Sequence, residues 1–410
     1  MRILLVGSRI LPFRHSGDKN FWLDIIAGLQ HLGHDLEIVT VMLDDVPNDG
    51  LPLHRVSPIP MFLRPDLRFN PKFRFVAGTS NYASKTLTLP RLMNELRSLR
   101  REFEPDVIHF VENYGPAAAG LRAASGRVPM AISAPTYQPN RPFYDLFLRA
   151  SFSSFDKVVP FSDAYGQRLL DIGLRPERIH RIRWGVDMNR FTPPSDEERE
   201  HTRQDLGVGK ESIVVQWTGF LQQAGEPDLD LALRAARKAL ETDGSKFAFF
   251  FCFKPEHFKE SYRRFERPGL RVTESEAMYH AVRRAADVLF SPMNDRRSTA
   301  APPLAWPESL AMGIPILTTD IPGAREAVVE GESGFVARTP EEMAKRLEEI
   351  HADPELARHL KIGARKIAVD RYSVDRSFRE YVDLWERMAE GKPASGSVGH
   401  MRKETDLPAS

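Results

Sequence analysis

One acidic residue stands where a carboxylate could meet a ligand. Glu308 follows Pro307 in the run 307–315 (PESLAMGIP). Proline suits the first position of a helix and Gly313 suits its end, so we predict a short helix with Glu308 in its first turn. There the carboxylate could accept hydrogen bonds from two hydroxyl groups of a ribose. It could also simply complement the helix dipole, an effect of about 0.3–1 kcal/mol, and composition alone favours that simpler role.

A second candidate ligand contact lies in the first loop, residues 8–20. This loop contains Gly17 within the run His-Ser-Gly-Asp-Lys. A glycine there would let the backbone approach a ligand, and the N-terminus of the following helix favours anions. The dinucleotide-binding pattern G-x-G-x-x-G is absent. An ordinary turn between a strand and a helix would explain the loop equally well.

The elements that must position these residues follow from hydrophobic patterning. Short apolar runs without polar alternation predict strands that are buried on both faces, as in a parallel sheet covered by helices. The first series of predicted strands is 2–7, 36–41, 107–110, 130–133, 157–161 and 179–184, and the second is 213–219, 247–253, 270–273, 288–291, 315–319 and 334–337. Amphipathic helices are predicted at 21–32, 229–240, 276–286, 341–350 and 354–369. The alternation predicts a doubly wound α/β fold.

The two series predict two domains. A charged segment with two prolines, residues 187–203, separates them, so we place the boundary near residue 190. The predicted organisation is a Rossmann-like domain over 1–190, a second over 191–372, a C-terminal helix over 373–390 and a disordered tail over 391–410. Ligands of open α/β sheets bind at the carboxyl ends of the strands. We therefore expect the chemistry in those loops, in a cleft between the domains.

Composition excludes several classes of function. The chain has 57 Lys+Arg against 56 Asp+Glu, so its net charge of +1 gives no global field for nucleic acid or an anionic membrane. A single cysteine, Cys252, excludes intramolecular disulfides and cysteine-based metal clusters. The histidines lack metal-ligand spacing. No apolar run reaches the roughly 18 residues of a membrane span, and the N-terminal apolar run is too short for a signal peptide.

These exclusions predict a cytoplasmic protein. One segment, 64–75 (RPDLRFNPKFRF), is basic and aromatic. It could make a peripheral contact with the inner face of a membrane, or contact an anionic acceptor. A plain surface loop is the simpler interpretation, because the segment is short and interrupted by prolines for an amphipathic helix.

The run 307–337 (PESLAMGIPILTTDIPGAREAVVEGESGFVA) resembles the C-terminal signature of the retaining GT-B glycosyltransferases of family GT4. Further segments agree with that family in order, including MRILLVGS, DVIHF, VVPFSDAYG, IVVQWTGF and AADVLFSP, so that the resemblance covers about residues 1–390. It implies two Rossmann-like domains facing across a cleft, with a final helix that returns to the first domain. It also implies a UDP- or GDP-type sugar donor on the second domain, with no metal or other cofactor required. The acceptor on the first domain would be a carbohydrate, a glycolipid or a small metabolite.

The same resemblance implies roles for individual residues. Glu308 would bind the nucleotide ribose, and Gly17 would lie in the loop that faces the donor phosphates and the acceptor. Gly219 would close the strand beneath the diphosphate. The backbone N–H groups of Leu304 and Ala305 could donate to the phosphates.

The chain departs from the family at several charged positions. Ala300 stands where a glutamate usually contacts the transferred sugar, Phe220 where an arginine is usual, and Pro135 where a histidine is usual. The turn before Leu304 contains two prolines, which have no N–H to donate. A diphosphate leaving group gains charge as the glycosidic bond breaks, so the transition state still needs positive groups.

Other cations could replace the missing ones. Lys254 is the leading candidate because it follows the predicted strand 247–253, although a solvated loop lysine is the simpler interpretation. The remaining candidates are Arg14, Lys19, Arg183, Arg296 and Arg297.

Three functional hypotheses follow. The first is a hexosyl- or related transferase that moves a sugar with retained configuration by front-face transfer, which needs no carboxylate nucleophile. In it Glu112 could orient the acceptor hydroxyl, whereas His109 is interpreted as a packed strand histidine. The second is a non-catalytic homologue that binds a nucleotide sugar or a partner glycosyltransferase. The third is a relative with an unusual donor or acceptor, whose charge is supplied elsewhere.

Overall fold

The chain divides into two compact units in the computed structural model. The structure describes residues 1–7, 17–41, 50–57, 74–111, 115, 118–134, 142–218, 225–255, 258–294 and 302–391. Of these, the first unit contains residues up to 134, residues 142–183 and those from 377 onward. The second unit contains residues 184–376.

The first unit is built on a sheet of six parallel strands among the described residues. In chain order these are β1 (Arg2–Val6), β2 (Asp35–Val41), β3 (Leu53–Val56), β4 (Val107–Phe110), β5 (Met130–Ala134) and β6 (Lys157–Pro160). They lie in the order β3-β2-β1-β4-β5-β6, with β1 paired in parallel to β2 and β4. Residues 3–6 are fully buried, as a strand covered on both faces must be.

Helices cover this first sheet. They are α1 (Gly17–His31), α2 (Arg74–Glu102), α3 (Ala118–Ser125), α4 (Pro142–Phe152) and α5 (Asp163–Asp171). Ser162 fixes the start of α5 because its side chain accepts a hydrogen bond of 3.1 Å from the Tyr165 N–H. Such a cap satisfies one of the N–H groups that a helix start leaves unpaired.

The second unit repeats this architecture. Its described strands are β7 (Ile213–Thr218), β8 (Phe247–Cys252), β9 (Leu270–Thr273), β10 (Val288–Ser291), β11 (Ile316–Thr319) and β12 (Gly334–Ala337). They form a parallel sheet in the order β12-β11-β10-β7-β8-β9. The helices around it are α6 (Asp196–Asp205), α7 (Gly225–Thr242), α8 (Glu276–Ala285), α9 (Ala305–Ala311), α10 (Ala324–Ala327), α11 (Pro340–Ala352) and α12 (Pro354–Tyr372).

One buried carboxylate joins several elements of the second unit. Asp287, just before β10, accepts hydrogen bonds from Arg199 (2.5 Å) and Arg203 (3.0 Å) on α6 and from Lys361 (3.0 Å) on α12. It also accepts one of 3.0 Å from the Val214 N–H of β7. Burial alone would raise the pKa of Asp287, but the surrounding cations outweigh burial and lower it. The carboxylate therefore stays charged.

A last helix, α13 (Val374–Ala389), belongs to the first unit from Ser377 onward. Its Tyr381 and Trp385 are fully buried there. The Trp385 indole N–H donates to Nδ1 of His109 at 3.0 Å, while Nε2 of His109 bonds to Ser133 Oγ at 2.8 Å. The Ser133 hydroxyl and the Tyr381 hydroxyl are also 2.8 Å apart. Since an indole N–H only donates, the His109 ring carries its proton on Nε2. His109 is thus a packed strand histidine, as predicted.

The burial of His109 predicts loss of stability in acid. Burial lowers the pKa of His109 to about 3, against 6.5 in an unfolded chain. Between those values the unfolded state binds the extra proton, so the free energy of unfolding falls as the pH falls. The expected slope is about 1.4 kcal/mol per pH unit below pH 6.5. His109→Gln should remove this component in urea unfolding measured at pH 4, 5, 6 and 7.

His180 provides a second test of the same effect. Burial, assisted by Lys157, lowers the pKa of His180 to about 4, so it adds a slope of the same sign. His180→Gln should therefore reduce the slope separately. An H109Q variant that loses stability in acid as steeply as the natural chain would contradict the prediction.

The sheets confirm the predicted doubly wound α/β class. Eleven of the twelve predicted strands correspond to strands of the structure, within one or two residues at each end. The predicted strand 179–184 is wrong. Among the described residues, only Ile179 makes an isolated bridge there, to Val158 of β6. That stretch follows the edge of the sheet without forming a continuous ladder.

Several elements are absent from the prediction, among them β3 and the helices α2, α3, α4, α5 and α10, and one position is corrected. Strand β3 is short and contains His54 and Arg55. Helix α2 is mostly polar and contains Pro90. It begins at Arg74, so the last two residues of the basic segment 64–75 are helical, and the other ten lie outside the described residues. Pro307 is the third residue of α9 and not the first. None of the described helices is long and apolar enough to cross a membrane.

Candidate functional site

The carboxyl end of β10 and the start of α9 are fastened together in the second unit. Trp306 is fully buried on α9, and its indole N–H donates to Ser291 Oγ at the end of β10, at 2.9 Å. The hydroxyl of Thr319, at the end of β11, bonds to the backbone of Met293 at 2.8 and 2.6 Å. The Trp306 bond holds α9 at the edge of the sheet where open α/β folds bind ligands, and the Thr319 bonds join the segment after β10 to the end of β11.

Glu308 lies in the first part of α9. Its N–H donates to the Leu304 carbonyl at 3.2 Å, as a helical residue's should. Its side chain is 16% exposed. Oε2 accepts a hydrogen bond of 2.5 Å from Nη1 of Arg283 on α8. Among the described residues, the structure gives Oε1 no partner, so that oxygen can still accept a hydrogen bond from a ligand.

Arg283 is buried, and only 3% of its surface is exposed to solvent. Its guanidinium lies 4.8 Å from the ring centroid of Tyr279, one turn earlier on α8. Burial alone lowers the pKa of Arg283, but Tyr279 and Glu308 outweigh burial and raise it. Its Nε and Nη2 atoms have no hydrogen-bond partner within the part of the chain that the structure describes. The ion pair therefore joins the buried guanidinium of Arg283 to the Glu308 carboxylate, which is partly exposed to solvent.

The turn before α9 limits which backbone groups can donate. Leu304 is the N-cap residue and Ala305 the first helical residue, and both are half-buried. N–H groups in the first turn of a helix have no acceptor within that helix. Pro302 and Pro303, immediately before them, contribute no N–H. Leu304 and Ala305 thus retain donors next to Glu308.

Lys254 lies at the same edge of the sheet, two residues after the end of β8. The order β10-β7-β8 separates the ends of β8 and β10 by two strand spacings, or roughly 10 Å. The side chain of Lys254 is half-buried, and it interacts with neighbouring groups. It is therefore placed among the strand ends, as predicted, but as a group that already has partners.

A carboxylate also occupies this edge. Asp228, in the first turn of α7, is buried and accepts a hydrogen bond of 2.6 Å from the N–H of Asn294, just after β10. The side-chain amide of Asn294 donates to the Pro227 carbonyl at 2.5 Å.

The structure describes only some of the other predicted site residues. Gly17 is the first residue of α1, in the first unit. Arg183 is committed to an ion pair, because it donates to Asp163 Oδ2 at 2.8 Å. The predicted positions that lie outside the described residues are Arg14, Glu112, Pro135, Gly219, Phe220, Arg296, Arg297 and Ala300.

Arg283 is the site residue that the sequence interpretation misses. The signal was present, since Arg283 falls on the same face of α8 as the half-buried Tyr279 and the buried Val282. A charged residue on the buried face of an amphipathic helix calls for a partner. Its partner is 25 residues away, however, and periodicity does not identify it.

Within the described residues, no group of three or more His, Cys, Asp or Glu side chains could hold a metal ion.

Two family models match the chain. Residues 17–185 match the glycosyl transferase 4-like domain, and residues 228–367 match the glycosyl transferases group 1.

Curated relatives match at similar levels of identity. A D-inositol 3-phosphate glycosyltransferase of Jonesia denitrificans is 25% identical over 230 residues, which cover 52% of each chain. A putative colanic acid biosynthesis glycosyltransferase, WcaL of Salmonella typhimurium, is 26% identical over 379 residues, covering 80% of this chain and 85% of the relative. The chain thus spans about half the length of the inositol-phosphate enzymes that it matches.

Solved structures share the fold at low identity. A glycosyltransferase of Rickettsia africae superposes with a TM-score of 0.72 at 14% identity, covering 95% of this chain and 99% of the other. HepE of Anabaena, in complex with UDP, gives a TM-score of 0.68 at 16% identity, covering 94% and 100%. Sucrose-phosphate synthase of Thermosynechococcus elongatus gives 0.71 at 14% identity, covering 95% and 100%.

Proposed function

Since this chain belongs to the GT4-type glycosyltransferases of the GT-B fold, we propose that it transfers a sugar from a nucleoside-diphosphate donor to a hydroxyl acceptor, with retained configuration. The donor is a hexose or related sugar on UDP or GDP, and it binds to the second unit. No metal or other cofactor takes part. The observation that carries the proposal is the Glu308 carboxylate, which is paired with Arg283 and partly open at the strand ends.

Each group at this edge has a part in holding the donor. Glu308 accepts hydrogen bonds from the ribose hydroxyls, which a carboxylate does through its two oxygens. The N–H groups of Leu304 and Ala305 donate to the phosphates, and Gly219, the next residue after β7 in the sequence, is proposed to close that strand beneath the diphosphate. Lys254 supplies positive charge as the leaving diphosphate forms. It follows β8, whose end lies roughly 10 Å from the end of β10.

The acceptor is proposed to bind on the first unit. There Gly17 begins α1, and a glycine at this point would let its own backbone approach a substrate closely. Glu112 orients the attacking hydroxyl. The acceptor class is a carbohydrate, a glycolipid or a small metabolite, and the relatives' names support that breadth, since they include enzymes for inositol phosphate and for colanic acid synthesis. The basic segment 64–75 is a candidate for peripheral membrane contact during transfer to a glycolipid.

A non-catalytic role is the second candidate. The usual charged positions hold Ala300, Phe220 and Pro135. Phe220 and Pro135 remove groups that could carry the positive charge that stabilises a leaving diphosphate, and Ala300 removes the carboxylate that would contact the transferred sugar. Such a protein would hold a nucleotide sugar, or a partner enzyme, without turning the sugar over.

One experiment separates the two candidates. The protein is titrated calorimetrically with UDP-, GDP- and ADP-sugars, and the release of nucleoside diphosphate is followed over hours. The transferase is expected to bind one class of donor and to hydrolyse it slowly even without an acceptor, because water can replace the acceptor hydroxyl. Tight binding with no release, also in the presence of an acceptor panel, would support the non-catalytic role. Absence of binding to every donor would contradict both.

A further inference from the structure

We propose that Arg283 is a positioning residue that makes nucleotide binding selective for ribose, by fixing the carboxylate of Glu308. This inference rests on the proposed function, in which Glu308 contacts the donor ribose. It extends that function to a residue that does not touch the donor. It also explains why the site contains a cation where no ligand can reach it.

The geometry allows Arg283 to act only through Glu308. Its side chain is 3% exposed, and the Glu308 side chain is 16% exposed. The two meet at 2.5 Å, between Nη1 and Oε2. A donor molecule at the strand ends can therefore touch the carboxylate but not the guanidinium. The buried Arg283 fixes the position of the Glu308 carboxylate through Oε2, and the exposed part of that carboxylate is available to bind the donor.

Arg283 is itself held in one orientation. Its guanidinium packs on the ring of Tyr279 at 4.8 Å. The backbone of Tyr279 is in turn fixed, because its carbonyl accepts a hydrogen bond of 3.2 Å from the Gln216 side chain of β7. A rigid partner removes rotamer freedom from Glu308 before the donor arrives. Less ordering is then needed when the donor binds, which favours affinity.

The arrangement is a poor way to stabilise the fold. Nε and Nη2 of Arg283 are buried and have no hydrogen-bond partner within the described residues. Buried polar groups without partners are unfavourable, and a buried ion pair is often no more stable than apolar side chains of the same volume. An apolar residue at position 283 would serve packing better. The charge is therefore better explained by what it does to Glu308.

A fixed carboxylate predicts selectivity for ribose. When a ligand lacks the hydroxyl groups, the charged and partly buried Glu308 is left with an unused acceptor, and binding weakens. If Arg283 is removed, Glu308 can turn toward solvent, and the hydroxyl groups gain less. Affinity for the ribonucleotide then falls, while affinity for the analogue without hydroxyl groups changes little.

The test compares ribonucleotides with their 2′,3′-dideoxy analogues. UDP, GDP and ADP and the three analogues are titrated calorimetrically into the natural chain and into Arg283→Met. We expect R283M to bind the ribonucleotide about tenfold more weakly, the size of one charged hydrogen bond. Affinity for the dideoxy analogue should change less than about twofold, because the analogue does not engage Glu308. A purely structural role for Arg283 would weaken both ligands alike.

Matched variants make each outcome decisive. Arg284→Met removes the same charge from the next, exposed residue of α8 and should leave the selectivity unchanged. Glu308→Gln should abolish it. If R283M does not fold, as judged by circular dichroism, Arg283→Gln replaces it, since Gln is polar but too short to reach Glu308.

Two failures are distinguishable. If the natural chain binds none of the three ribonucleotides, the proposed function fails and the inference falls with it. If the natural chain prefers the ribonucleotide and E308Q loses that preference while R283M or R283Q keeps it, only the role of Arg283 is overturned.

Discussion

A Glu308→Ala variant is expected to bind nucleoside diphosphates roughly 10- to 150-fold more weakly than the natural chain, a loss of about 1.5–3 kcal/mol. This is the contribution of hydrogen bonds to a charged acceptor. The carboxylate is partly buried, it is held by Arg283 at 2.5 Å, and it has one oxygen without a partner among the described residues. Calorimetric titration with UDP, GDP and ADP measures the change.

The control for this variant must separate binding from folding. Removing Glu308 leaves the buried Arg283 guanidinium without its counter-ion, and breaking one side of a buried pair destabilises proteins by about 3–5 kcal/mol. The double variant R283M/E308A removes both charges and should recover much of that stability. If the folded double variant binds the nucleotide as tightly as the natural chain does, the assignment of Glu308 to the donor is wrong.

The second large effect concerns stability. Asp287→Ala is expected to lower the free energy of unfolding by about 3–5 kcal/mol, because it removes the counter-ion of three cations that meet in a mostly buried place. The loss should affect Arg203 most, because its side chain is only 8% exposed and water cannot replace the carboxylate there. The Val214 N–H also loses its side-chain acceptor. We expect the destabilisation to affect α6, α12 and β7, because the Asp287 carboxylate joins these three elements.

Urea unfolding followed by circular dichroism checks this expectation on the full chain. Asp230→Ala is the matched control. Its carboxylate pairs with Arg234 at 3.0 Å on the exposed face of α7, where both side chains are more than half exposed. Exposed pairs contribute about 0–1 kcal/mol. Equal shifts of the unfolding midpoint in the two variants would show that the buried cluster does not hold the second unit together.

The strands were predictable because burial on both faces leaves a direct mark on composition. The run Phe247–Phe253 has no charged or amide residue, and the structure gives β8 over Phe247–Cys252, one residue shorter than predicted. Helix α2 carries no such mark, since its 29 residues are mostly polar and include Pro90. Tertiary contacts rather than periodicity account for its presence. The predicted strand 179–184 failed for a related reason, because apolar residues can line a sheet edge without joining its ladder.

The candidate site divides in the same way. The place of Glu308 on a short helix, and that of Lys254 after a strand, follow from local sequence, and the structure agrees on both placements. Their roles in binding remain predictions. Arg283 could not be paired with Glu308 in advance, because the two come from helices separated by β10. A pair of this kind is a product of the fold, and the sequence carries only its two separate halves.

The position of α13 has a consequence for how the chain is made. The first unit needs Trp385 to donate to His109 and Tyr381 to bond to Ser133, and these residues are translated after the whole second unit. On the ribosome, the second unit can fold as one continuous stretch, whereas the first must wait, with part of its apolar interior uncovered, until the last helix emerges. Nascent chains stalled before residue 377 should therefore depend on chaperones more than the finished protein does.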